Sequence, residues 1–142
     1  MSAELPPHPS SIFDDDDDKQ KAKRDQVKRL RDIVCKWMVH GPCGVEKPKA
    51  PCMYNNNGDL TTQCSKKFPK QNVEETLIDQ SNSYVNCRRR CPGNGEHEAF
   101  VNDRHLTNAS IVPYSPYLAL KYNCHINVEI CASTRAAKYL HK

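Results

Sequence analysis

Long hydrophobic runs are missing from this sequence. No apolar stretch approaches the ~20 residues a helix needs to cross a bilayer, so no membrane partner is expected. The opening residues, MSAELPPHPSS, lack the charged and apolar pattern of a secretory signal, which argues against secretion. Hydrophobic residues make up 37% and aromatics 7%, whereas an ordinary globular chain is about 45–50% apolar. So thin a core needs support from a metal, a disulfide or neighbouring sequence. Several catalytic motifs are absent too. There is no Gly-x-x-x-x-Gly-Lys-Ser phosphate loop, which excludes an ATPase of that kind, and neither Gly-x-Ser-x-Gly nor His-Glu-x-x-His occurs.

What the chain does have is charge, unevenly placed. Residues 1–19 carry six acids, Glu4 and Asp14 to Asp18, against Lys19 alone. The remainder holds 20 basic and 11 acidic residues, a net of +9. Such a body favours a polyanion, because lysine and arginine contacts to phosphates release counterions; a solvated basic surface without a ligand is the plainer alternative. The chain also has eight cysteines in 142 residues. In a reducing compartment they read as metal ligands or buried thiols rather than disulfides.

Residues 1–19, with three prolines and five consecutive aspartates, are expected to be a disordered acidic segment. A helix is predicted over 20–38, with Val27, Leu30, Val34 and Trp37 on one face and Ile33 and Met38 beside them, ending at Gly41-Pro42. Residues 39–70 are irregular, with a turn at Asn56-Asn57-Gly58-Asp59. Tyr84 to Cys87 and Ile111 to Tyr114 read as strands, 117–122 as a short helix, and Ile126 to Ile130 as a strand. A last helix from Ala132 is still running at Lys142, so the sequence looks cut there. The expected fold class is α+β, a small irregular domain fragment with a Cys/His-rich loop region.

Three groups of residues carry possible chemistry. His40-Gly41-Pro42-Cys43, then Cys52, then Cys64 offer imidazole and thiolate, the ligands that tetrahedral zinc prefers. The later spacings of nine and twelve match no standard finger, and Cys35, Cys87 or Cys91 could replace one of the four. Lys66-Lys67-Phe68-Pro69-Lys70 combines cations with an aromatic on which a base could stack. Arg88-Arg89-Arg90 is a second basic patch. His125 and Tyr139 read as structural residues on this basis, although a tyrosine can attack a phosphodiester where a divalent metal polarises the phosphate.

The ordered blocks His40-Gly41-Pro42-Cys43-Gly44, Pro51-Cys52-Met53, 64–70, Arg88-Arg89-Arg90, 112–118 and 125–131 together resemble the replication-initiator part of Helitron transposable-element proteins. The resemblance runs from about Ser2 to the end and is weakest at 14–19, 55–62 and 91–97. That family joins a rolling-circle HUH endonuclease to an ATP-dependent DNA helicase. The resemblance implies a nuclear or cytoplasmic protein that works on single-stranded DNA together with the rest of the initiator–helicase polypeptide. It implies Mg²⁺ or Mn²⁺ held by a His-x-His pair, which this chain does not contain. It also implies two tyrosines four residues apart on a helix, the first of which matches Tyr139 in Ala137-Lys138-Tyr139-Leu140-His141-Lys142. The reading is a segment, 20–142, lying between the metal motif and the tyrosine motif and inactive alone. The alternatives are a zinc-stabilised single-strand-binding module without catalysis and a degenerate transposon remnant.

Overall fold

The computed structural model describes residues 1–9, 18–55, 57–79, 81, 84–93 and 97–130. Its longest element is α1, Asp18–Trp37. Asp18 stands in the first turn and Lys36 in the last, as the helix dipole favours. The buried side is short: Ile33, Val34 and, just past the end, Met38 are in the core, while Trp37 is 38% exposed although its spacing places it on the apolar face. The other long face is lysine and arginine in water.

Two antiparallel hairpins follow. In the first, β1 (Leu77–Ile78) pairs with β2 (Val85–Asn86), Leu77 facing Asn86 and Ile78 facing Val85. In the second, β3 (Glu98–Val101) pairs with β4 (Arg104–Thr107) across the two-residue turn Asn102-Asp103. Both turn residues have positive φ, 48° and 60°, the primed-turn geometry that matches strand twist and that Asn and Asp tolerate. Helix α2, Pro116–Tyr122, starts with proline at its first turn and with the Ser115 hydroxyl accepting from the Leu118 N–H. It ends at Asn123, which takes the left-handed conformation with φ 48°.

The main core joins Leu5, Ile33, Val34, Met38, Ile111, Tyr114 and Ala119. Leu5 belongs to this core, and residues 2–6 are packed against the rest of the chain and are not a disordered segment. Ser2 and Tyr114 exchange both backbone hydrogen bonds, at 2.8 and 2.7 Å. Ala3 and Leu5 are each 2% exposed, and the Tyr114 hydroxyl donates to the Glu4 carbonyl at 2.9 Å. Averaged over 1–19, the aspartate run masks these few apolar residues; residues 10–17 lie outside the described residues. Ile111 to Tyr114 forms isolated bridges, Ile111 with Val39 and Tyr114 with Ser2. Ile126 to Ile130 is not a strand: its alternation is real, but only Val128 bonds to a neighbouring segment in the way a ladder would, to the Pro113 carbonyl at 2.9 Å. The expected helix from Ala132 lies outside the described residues. A second, smaller core of Ala50, Met53 and Cys64, flanked by Cys43, Cys52 and Phe68, sits beside the first. The chain is thus a small α+β domain, and no described helix is long and apolar enough to cross a membrane.

Candidate metal centre

The second core is assembled from three turns. The first leaves α1 through the Val39–Ile111 bridge, where the His40 N–H donates to the Ser110 carbonyl at 2.9 Å. Immediately after Cys43, Gly44 takes φ +65°, a left-handed bend that glycine adopts without strain. The bend brings the Gly44 N–H to 3.3 Å from Met53 Sδ. The second turn is a 3-10 turn, Pro51–Met53, which carries Cys52. The third returns the chain. Asn55 Oδ1 accepts from the N–H groups of Asn57 and Asp59, at 2.9 and 2.8 Å, and Gly58 takes φ +85°. Tyr54 then bridges to Leu60, and the Ser65 N–H donates to the Cys52 carbonyl at 2.7 Å. The loose spacings of nine and twelve residues are therefore the lengths of these two turns.

The result brings together the four residues singled out from sequence. One ligand atom from each of His40, Cys43, Cys52 and Cys64 lies within 4.8 Å of every other, an arrangement that could hold a metal ion. His40 Nε2 is 3.4 Å from Cys64 Sγ. Cys64 is buried, and the other three are half-buried. Among the described residues, Cys35, Cys87, Cys91 and Cys124 join no such cluster and are free thiols. Cys87 does not replace a ligand, and Cys91 Sγ instead accepts from Asn72 Nδ2 at 3.3 Å.

The electrostatics favour ligation. Burial, then the charges of Lys70 and Lys66, lower the His40 pKa from its ordinary value, which favours the neutral ring with a lone pair to offer. Burial and the neighbouring Cys52 and Cys64 push the Cys43 thiol up to about 12. Burial and Cys64 raise Cys52 as well. At Cys64 burial also acts upward, but the backbone N–H groups of Phe68 and Lys66 and the thiols of Cys52 and Cys43 outweigh it and lower the value. Three crowded thiols cannot all ionise unaided; a cation among them removes that penalty. The N–H groups that hold Cys64 also wrap residues 64–68 around its sulfur.

Outward from His40 the site continues as a stack. The Phe68 ring lies on the His40 ring, with centroids 4.2 Å apart and planes 9° from parallel. Lys70 Nζ sits 5.2 Å from the Phe68 centroid and donates to the Tyr84 hydroxyl at 2.8 Å. The chain matches no protein-family model, and no curated protein matches it.

The remaining predicted site residues divide. Lys66 and Lys67 are exposed beside the centre. Phe68 is partly buried with one face taken by His40, so it is not the open stacking platform expected. Arg89 is not a DNA contact: it is 4% exposed, and its guanidinium donates to the carbonyls of Ala3, Asn108 and Ile111 at 3.1, 2.6 and 2.6 Å. Arg90 grips Glu4 with its side-chain Nε and Nη2 at 3.0 and 2.9 Å, and Arg88 lies 3.3 Å from the same carboxylate. The triple arginine is therefore spent largely on holding the N-terminal segment, and the run itself carries no signal that distinguishes this from a patch. Among the described residues His125 joins no ligand cluster; its Nδ1 meets the Trp37 carbonyl at 2.6 Å. Tyr139 lies outside the described residues.

Proposed function

We propose that this chain is a zinc-stabilised, single-strand-binding module of a Helitron-type rolling-circle initiator, without catalytic activity of its own. The observation that carries the reading is the convergence of His40, Cys43, Cys52 and Cys64 directly beneath the lysines of 66–70. Bonds of about 2.3 Å to sulfur and 2.0–2.1 Å to nitrogen set the ligand atoms of tetrahedral zinc roughly 3.5–3.8 Å apart. The 3.4 Å His40–Cys64 separation fits that edge, and the 4.8 Å upper bound requires only a small contraction. Four protein ligands leave no open position, the mark of a structural site and not of one that activates water. Zinc would supply the cross-link that so thin a core lacks, and would hold the Lys66 and Lys67 backbone in one conformation.

The lysines then neutralise backbone phosphates. In the intact initiator that the sequence resemblance implies, the strand so held would be presented to a tyrosine at position 139, with Mg²⁺ or Mn²⁺ bound by residues outside this chain. The test is salt-dependent binding of a fluorescent single-stranded oligonucleotide to the zinc-loaded chain. The double variant Lys66→Glu, Lys67→Glu should weaken binding and flatten the salt dependence by about 0.7 for each phosphate that is no longer neutralised. Binding that is unchanged in that variant, or absent in the parent chain, contradicts the reading.

A further inference from the structure

With Phe68 covered, the ring that the basic patch at the metal centre leaves accessible is Tyr84, 48% exposed under Lys70. Exposed rings occur elsewhere. Tyr117 is 69% exposed, Tyr122 55% and Trp37 38%. Each has an ammonium over it: Lys121 Nζ is 5.8 Å from the Tyr117 centroid and 5.2 Å from that of Tyr122, and Lys36 Nζ is 4.7 Å from that of Trp37. Two hydrogen bonds hold these groups together. Arg29 of α1 donates to the Leu120 carbonyl at 3.1 Å, and eight residues further along α1 the Trp37 carbonyl meets His125 at 2.6 Å. Lys121 and Tyr122 lie between those two ties, so the end of α2 runs alongside the end of α1.

We infer that the paired ends of α1 and α2 form a base-stacking surface for single-stranded nucleic acid, built on Tyr117, Tyr122 and Trp37 with Lys121, Lys36 and Arg29 for the phosphates. This deepens the single-strand reading and rests on it. Alternating rings and cations are what successive nucleotides require, a π-face for each base and a positive charge for each phosphate. A base stacked on an exposed ring is a stronger interaction than an ammonium over that ring. A strand can therefore displace Lys121 from the ring faces toward a phosphate, where its charge is used again. An apolar protein groove would leave the three cations unmatched, whereas a polyanion with flat bases matches both the charge and the rings.

The experiment uses the full zinc-loaded chain and two probes, an oligothymidylate and an abasic oligonucleotide of the same length. Tyr117→Leu, Tyr122→Leu should weaken oligothymidylate binding by about tenfold or more and leave abasic binding unchanged, because both side chains are exposed and the fold does not depend on them. Oligothymidylate should also quench Trp37, the one tryptophan. Lys121→Gln should lower both affinities and the salt slope. Full oligothymidylate affinity in the tyrosine variant, alongside loss in Lys66→Glu, Lys67→Glu, would overturn this surface and leave the single-strand reading standing. Equal weakening on both probes would mean that the rings act through the fold or as a protein contact, and would also overturn it. No binding of either probe by the parent chain would remove the broader reading itself.

Discussion

Arg89 shows what burying a cation demands. Taking a guanidinium out of water is costly unless its donors are met, and here three backbone carbonyls from two separate segments meet them. Replacing Arg89 with methionine keeps much of the side chain's length and leaves those carbonyls without a donor, so we predict a loss of about 2–4 kcal/mol in stability, read as a lower urea midpoint. The same change at half-exposed Arg88 should cost less than about 1 kcal/mol. Glu4 provides a pH test. Burial pushes its carboxyl up, but the Arg90 side chain and backbone N–H and the charges of Arg90 and Arg88 outweigh that and lower it below 4.5. Its contribution is therefore fully present above the ordinary value of 4.5 and lost as pH falls through the lower folded value. Acid titration of stability should lose this component in Glu4→Gln, which should also be less stable than the parent at neutral pH; identical acid profiles for the two proteins would contradict the assignment. None of this is legible in the sequence, because three adjacent arginines look alike until the chain decides which of them faces inward.

At the scale of elements, local chemistry is the readable part. Helix α1 is legible to within two residues, since the apolar spacing through Leu30 and Val34 and the Gly41-Pro42 stop are local signals. Pro116 and Ser115 likewise mark the start of α2. The β3–β4 hairpin escapes the sequence reading, although Asn102-Asp103 between two four-residue strands is a usable turn signal; its strands alternate weakly because Phe100, 78% exposed, stacks on His105 at the surface. Asp103 has a φ of 60°, so Asp103→Gly should stabilise the hairpin by about 0.5–1 kcal/mol, measured by thermal unfolding. A decrease in stability would mean that the aspartate side chain matters more than its backbone angle. Ile126 to Ile130 fails in the opposite way: period-two alternation is present, but a strand also needs an edge to pair with, and that depends on the rest of the fold.

Over the whole molecule, the α+β class and the grouping of His40, Cys43, Cys52 and Cys64 are both legible, the second because imidazole and thiols gather in one glycine- and proline-rich loop region. The lengths of the intervening turns are uninformative until the Asn55 to Asp59 loop is seen to fold back on itself. The two cores differ in what holds them. The first rests on buried Leu5, Met38, Ile111 and Tyr114, whereas the second has Ala50, Met53 and Cys64 and little else. If zinc occupies the second core as proposed, its chelation should raise amide exchange across 40–68 far more than across α1 and weaken the proposed strand binding through Lys66 and Lys67. Everything proposed for this chain begins at the metal centre, and cobalt(II) titration of the reduced, metal-free chain tests it. One equivalent should give the visible absorption of a tetrahedral thiolate site, abolished by Cys52→Ser and unaffected by Cys87→Ser. A spectrum without thiolate character, or one that survives Cys52→Ser and vanishes with Cys87→Ser, would contradict it.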